Sequence, residues 1–438
     1  MRSLCVLVFP LALLQAQQAD DAAARTFRPL WNGRDLAGWH GQRQFDPRKI
    51  AAMPADERAK LQAEDDATVA PHWRVENGEL VNDGKGEFLT TDQAFGDAEY
   101  VLEYKTVALA DSGIYLRGCP QVQIWDCTEA GGKWNLGADK GSGALWNNEK
   151  HAKSPPVVAD QPFGEWNKLE IRQVGSLVWV KLNDKVTVDG VVMENFFDRK
   201  RPVPARGPLQ LQTHGGEIRF RNLSVREIPA NEANELLRKL DDGGFASIFS
   251  GDSFEGWQGD LDSYEVVDGA IRCKAGKAGN LFTKASYGDF AVRLQFRLPP
   301  GGNNGLAVRY PGTGDPAYAG FEVQVLDDSA EKHATLKPWQ YHGSVYGVVA
   351  SERGYQRLVG EWNFEEVVVR GSHVTVTLNG VVIVDADIEG LPSQLGDKHT
   401  GKDRKDGFFG FCGHGDPVEF RDVRIKSLDA NVGGSQKR

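Results

Sequence analysis

One short alternating strand is written twice in this chain, and that repetition limits the fold more than any other feature. Residues 120–126 read PQVQIWD and residues 321–327 read FEVQVLD. Val122 and Ile124, like Val323 and Val325, alternate with Gln121 and Gln123, or with Glu322 and Gln324. Side chains on a strand point to opposite faces in turn, so each copy has one apolar face and one amide- or carboxylate-bearing face. β-Branched residues in so short and strict an alternation favour strand over helix.

The echo extends along the chain. Residues 27–41 (FRPLWNGRDLAGWHG) return as 245–259 (FASIFSGDSFEGWQG), and SGIYLRG at 112–118 returns as NGLAVRY at 304–310. HWRVENGELV and SYEVVDGAIR each read as two strands joined by Asn-Gly or Asp-Gly, the dipeptides that supply positive φ in a tight hairpin. Both copies carry an EWN entry to a strand pair, and both end on HG followed by FRN or FRD. Fixed-offset similarity of this kind means an internal duplication. The copies span 27–228 and 245–428, with a short amphipathic linker helix over 229–244. Each holds many short strands between turn signals, which predicts an all-β protein of two tandem jelly-roll β-sandwiches. Residues 43–71 occur only in the first copy; PADERAKLQAEDD predicts a surface helix there, either decorating the sandwich or forming a lid.

The chain has 438 residues, a net charge of −10 and 50 glycines. Its length fits two domains. The acidic balance offers no basic stripe for nucleic acid or anionic membrane. Residues 1–19, with Arg2 ahead of an apolar run too short to span a bilayer, read as an export signal. A secreted or periplasmic protein with no membrane contact beyond that signal is expected. Cys119 and Cys127 flank one strand and stand about 25 Å apart if it is straight, beyond disulfide reach. Cys273 and Cys412 show no metal-type spacing, so all four are expected to be free.

Alternation gathers the candidate site. In the first copy Tyr115 and Arg117, Gln121 and Gln123, and Gln210, Gln212 and His214 lie opposite apolar neighbours on three strands. If those strands share a sheet, one face carries a cluster of uncharged amides with an Arg and a His, suited to holding hydroxyl groups. The competing reading is a solvated outer face. The second copy is leaner, with Arg309, Glu322, Gln324 and His414. Asp126 and Asp327 end the central strand, where an acid either meets a ligand or caps the turn. Trp125, Trp134, Trp146 and Trp339 are candidates for stacking on a sugar ring, or are core. No nucleophile elbow, phosphate loop or zinc-protease motif is present.

The EWN strand entry, SGIYLRG ahead of PQVQIWD, and the HG…FR ending of each copy resemble the 3-keto-disaccharide hydrolase domain family. The resemblance covers nearly all of the chain beyond the leader, as two copies. It implies a concanavalin-like sandwich with a concave polar sheet, a carbohydrate or glycoside substrate, and cleavage of glycosides oxidised at C3. A 3-keto group acidifies the C2–H, so a base can remove it and expel the C1 substituent; water then adds. In that scheme His214 or His414 is the base and Glu322 an alternative base. Arg117 or Arg309 with Gln123 or Gln324 would stabilise the oxyanion. Gln121, Gln210, Gln212, Tyr115, Asp126, Asp327, Trp125, Trp146 and Trp339 would hold the sugar. No cofactor is required, though a His/Asp metal site could polarise the ketone instead. The rival class is a non-catalytic carbohydrate-binding protein, or one catalytic and one binding copy.

Overall fold

The computed structural model describes residues 26–429, so the expected export signal lies outside the described residues. The chain separates into two units, Met1–Pro229 and Ala230–Arg438. In the first, a five-stranded sheet is built from β1 (Trp39–Gln42), β2 (Phe88–Phe95), β3 (Asp111–Leu116), β4 (Cys119–Trp125) and β5 (Gly207–Leu211). Its order is β1-β2-β5-β3-β4, with every pair antiparallel. The three strands that carry the expected site are therefore neighbours. An eight-stranded antiparallel sheet, including the strands Ala98–Thr106, Asn167–Val174 and Ile218–Glu227, packs against it. Leu89, Ile114, Val122, Ile124, Leu209 and Leu211 meet Tyr100, Leu102, Tyr104, Leu169, Ile171 and Phe220 in one buried core. Burying each such side chain contributes about 1.5–3 kcal/mol, and that fixes which face of each strand is left for the site.

The second unit repeats this plan with β6 (Trp257–Gly259), β7 (Ala278–Tyr287), β8 (Asn303–Tyr310), β9 (Phe321–Leu326) and β10 (Gly407–His414), in the order β6-β7-β10-β8-β9. The hairpin dipeptides behave as their chemistry requires: Asn77 and Gly78 have φ of 53° and 77°, and Asp268 and Gly269 have 51° and 75°. All four cysteines in the described residues are free.

The insertion forms α1 (Pro47–Ala52) and α2 (Ala55–Val69). α2 closes the open edge of the sheet. Gly41 on edge strand β1 donates its N–H to Asp66 and accepts from Gln62 through its carbonyl, satisfying groups that would otherwise invite a foreign strand. A Cβ on Gly41 would stand 2.5 Å from the Asp65 carbonyl oxygen, so the close approach demands glycine. The helix expected as a linker, α3 (Ala230–Lys239), lies against the second unit, where the Asn234 amide donates to the Trp362 carbonyl at 2.8 Å.

Candidate functional site

Side chains paired across the five-stranded sheet of the first unit fall into three rows on the face away from the core. One row runs His40, Thr90, Gln210 and Tyr115. The next holds Gln212, Gly113 and Gln123. The last holds Asp111 opposite Trp125, with His214 reaching Asp111 from the chain beyond β5. This is not a wet outer face. Gln121, Gln123, Gln210 and Gln212 are all buried, and burying amides is costly unless they are bonded or reserved for a ligand.

Asp111 organises the cluster. Its Oδ2 lies 2.9 Å from His214 Nδ1 and also accepts from the Lys133 ammonium, while its Oδ1 accepts from Gln123 Nε2 at 2.7 Å. Burial alone would raise the Asp111 carboxyl, but the His214 and Lys133 bonds outweigh it and hold the group below its ordinary value. The same bond to Asp111 raises the His214 imidazole above its ordinary value, against burial and the Lys133 charge. An ionised Asp111 only accepts, so neutral His214 carries its proton on Nδ1 and leaves Nε2 free to take one. His214 is 60% exposed, so its free edge meets solvent.

Gln210 donates to Thr90 Oγ1 at 3.0 Å, and Gln44, from the chain leading into α1, donates to the Tyr115 hydroxyl at 2.9 Å. Burial pushes the Tyr115 phenol up, which keeps it protonated.

Several expected site residues serve the frame instead. β3 ends at Leu116, and Arg117 takes φ of 55°, so the alternation that placed its side chain on the polar face stops one residue early. Its guanidinium is buried and donates to the carbonyls of Gly96, Gly175 and Pro204 and to Asp97. Arg309, at φ of 50°, does the same with Gly288, Gly371, Arg404 and Asp289. Neither arginine can meet an oxyanion. Asp126 accepts from Leu109 N, Thr128 N and Thr128 Oγ1, and Asp327 accepts from Gly301 N, Ser329 N and Ser329 Oγ; both cap turns. Trp125 is buried, donates to the Gly141 carbonyl and meets Trp146 edge-on, so it supports the covering loop and offers no stacking face. Trp146 is half-buried and donates to the Leu136 carbonyl. Trp339, half-buried, stands edge-on to Tyr346 in the second unit. The amide of Gln123 is occupied by Asp111 and the carbonyls of Ser112 and Ile124, so it has no donor left for an oxyanion.

Sequence reasoning missed Asp111, Lys133, Gln44 and Thr90. Asp111 stands one residue ahead of the quoted SGIYLRG, and Lys133 lies in the Gly-rich loop that the second copy lacks.

The second unit keeps the backbone and changes the surface. Asn303 takes the place of Asp111, Ala307 of Tyr115, Gly410 of Gln210 and Cys412 of Gln212. Phe282, opposite Gly410, occupies the position of Thr90 and packs against Tyr310 and Phe408. Gln324 donates to Asn303 at 3.1 Å. Glu322 lies buried with its Oε1 unpartnered among the described residues, and burial, with a smaller push from Asp315, moves its carboxyl up to about 8. Burial pushes the His414 imidazole down, opposite to His214. Among the described residues no group of three or more His, Cys, Asp or Glu stands in metal-holding range. A cleft of about 280 Å³ lined by Phe27, Tyr100, Trp179 and Val188 lies on the eight-stranded sheet of the first unit, away from this cluster.

Two concanavalin-like jelly-roll sandwiches, one with a buried polar sheet face ending in a His–Asp–Lys cluster, define the class. The chain belongs to the 3-keto-alpha-glucoside-1,2-lyase-like domain family, matched at residues 26–226 and again at 244–426. A protein of Bacteroides thetaiotaomicron named 3-keto-disaccharide hydrolase is 24% identical over 247 residues, covering 47% of this chain and 85% of the relative. A solved Parabacteroides distasonis protein, provisionally titled a glycosyl hydrolase, is 26% identical, with 43% of this chain and 95% of that one covered and a TM-score of 0.38. A carbohydrate binding module from Bacillus subtilis is 15% identical, with 39% and 96% covered and a TM-score of 0.28.

Proposed function

We propose that the first unit cleaves glycosides oxidised at C3. His214 Nε2 takes the C2 proton, and the electron pair left behind is delocalised onto the C3 oxygen as an enolate. The Lys133 ammonium stabilises that oxygen. Collapse of the enolate breaks the C1–O bond, and the leaving oxygen takes the proton back from His214. Water adding across the resulting C1=C2 bond completes a net hydrolysis. Asp111 is a positioning residue, holding the imidazole in the tautomer that can act as base. The observation carrying this reading is the contact of His214 and Lys133 with one buried carboxylate. The family and the name of the Bacteroides relative support it. The second unit, with Asn303 for Asp111, takes no part in the proton transfer. The leader at residues 1–19 directs the protein out of the cytoplasm.

The test is to incubate purified protein with a 3-keto-glucoside and with its unoxidised parent, and to follow release of the aglycone. Release from the keto form alone is expected. Equal release from both, or from neither, would end this reading.

A further inference from the structure

Beside the reacting cluster the sheet face holds two acceptors that nothing in the described protein satisfies. Gln121 Oε1 and Gln212 Oε1 are buried and have no donor among the described residues. They converge: a Cβ built on Gly113 would lie 2.9 Å from the first and 3.1 Å from the second. The orientation of the Gln121 amide is set by a relay. Asp111, held ionised, can only accept, so Gln123 turns its NH₂ toward it. Gln123 Oε1 then faces Gln121 and takes that amide's NH₂. Gln121 is left presenting its carbonyl oxygen over Gly113. A buried acceptor without a donor bears its desolvation penalty uncompensated, which a donating ligand would recover.

We propose that Gln121 and Gln212, over Gly113, form a subsite for hydroxyl donors on the substrate ring. The inference rests on the proposed function and deepens it by naming what the sugar must carry. A keto oxygen has no proton to give, and two carbonyl oxygens repel it, so the subsite turns the ketone toward Lys133. Gly113 is two residues along β3 from Asp111, about 6.6 Å, roughly the width of one pyranose ring. With C2 and C3 at His214 and Lys133, the 4- and 6-hydroxyls of a hexopyranoside are the donors left to reach Gln121 and Gln212. In the second unit a carboxylate fills the space over the equivalent glycine. Glu322 replaces Gln121, and its Oε1 lies 1.8 Å from where a Cβ of Gly305 would be.

The experiment compares a 3-keto-glucoside with its 4-deoxy and 6-deoxy forms, using the full chain and Gly113→Ala. Gly113 has no positive φ, so alanine fits the backbone while its methyl meets both amide oxygens. Wild type should lose about 10²-fold in kcat/KM on at least one deoxy form. Gly113→Ala should be poor on the parent and separate the three substrates by less than about threefold. Deoxy forms turned over by wild type within threefold of the parent would overturn the subsite, because the Gln212 amide would then satisfy Gln121 internally. If no 3-keto-glycoside is turned over, the proposed function fails, and calorimetry of the unoxidised parent against its 4-deoxy and 6-deoxy forms still decides the subsite. Weaker binding of a deoxy form would support it; equal binding, or none of the parent, would overturn it.

Discussion

Where the first unit holds Asp111 against His214 and Lys133, the second holds Asn303, whose side-chain oxygen accepts from Gln324, and a His414 without that carboxylate. Where the first has Thr90, Gln210 and Tyr115 in a polar row, the second has Phe282, Gly410 and Ala307. Yet Arg117 and Arg309 clasp matching sets of three carbonyls and an aspartate, and Asp126 and Asp327 cap the same turn. What the copies share is the frame, and what only the first shows among the described residues is a carboxylate held between a histidine and a lysine. For these arginines and aspartates, recurrence between the duplicated halves goes with a structural role, whereas the recurring His214 and His414 differ in their partners. A site able to act in one half alone stands out by its differences.

The sharpest way to break this comparison is to change the two histidines separately. His214→Ala should lower kcat by about 10²–10⁴-fold in the aglycone-release assay, while His414→Ala changes it less than twofold; equal losses would mean both halves act. Next in size, Arg117→Leu and Arg309→Leu should each destabilise the protein by about 3 kcal/mol in denaturant unfolding, since each leaves three carbonyls without their guanidinium donor and a half-buried aspartate without its countercharge. If either variant kept full stability and lost activity, the arginines would belong to the site after all.

A third contrast lies in the cores. Leu169 of the first unit is replaced by Glu365 in the second, which stands 3.6 Å from buried His342. Burial pushes Glu365 up to about 8 and His342 down to about 3. A carboxyl raised on folding binds its proton more tightly in the folded state. Its contribution is therefore intact below the ordinary value of 4.5 and is lost as pH climbs toward 8. Glu322 adds to the same slope, its carboxyl also being near 8. Glu365→Leu should gain about 1–4 kcal/mol at pH 8 and almost nothing at pH 4; a pH-independent gain would refute the titration. The smallest effect is a pH profile. kcat/KM should rise with pH through an inflection above 6.5 as His214 loses its proton, and Asp111→Asn should move that inflection down, since the bond to Asp111 is what raises it. An unmoved inflection would detach Asp111 from the base.

Much of the fold was legible in the residues. The duplicated PQVQIWD and FEVQVLD, the Asn-Gly and Asp-Gly turns and the apolar alternation required paired strands, and α2 followed from its helix formers. The site was legible in part. Gln121, Gln123, Gln210, Gln212 and His214 do share one face, as period-two alternation demands. Arg117 was misplaced because a positive φ ended the strand at Leu116, and nothing in LRG distinguishes a final strand residue from the first of a turn. Lys133 was invisible because a loop residue has no periodicity to read.

The sequence by itself determined the duplication, the two sandwiches and the polar face of β4, because these follow from local alternation and turn chemistry repeated in order. Only the tertiary structure decided which polar residues meet. The closing of β3 against β5 brings Asp111 to His214 over a separation of 103 residues. The folding of the loop after β4 swings Lys133 onto the same oxygen. Those contacts depend on strand order and loop path, which hydrophobic pattern leaves free because either path buries the same core.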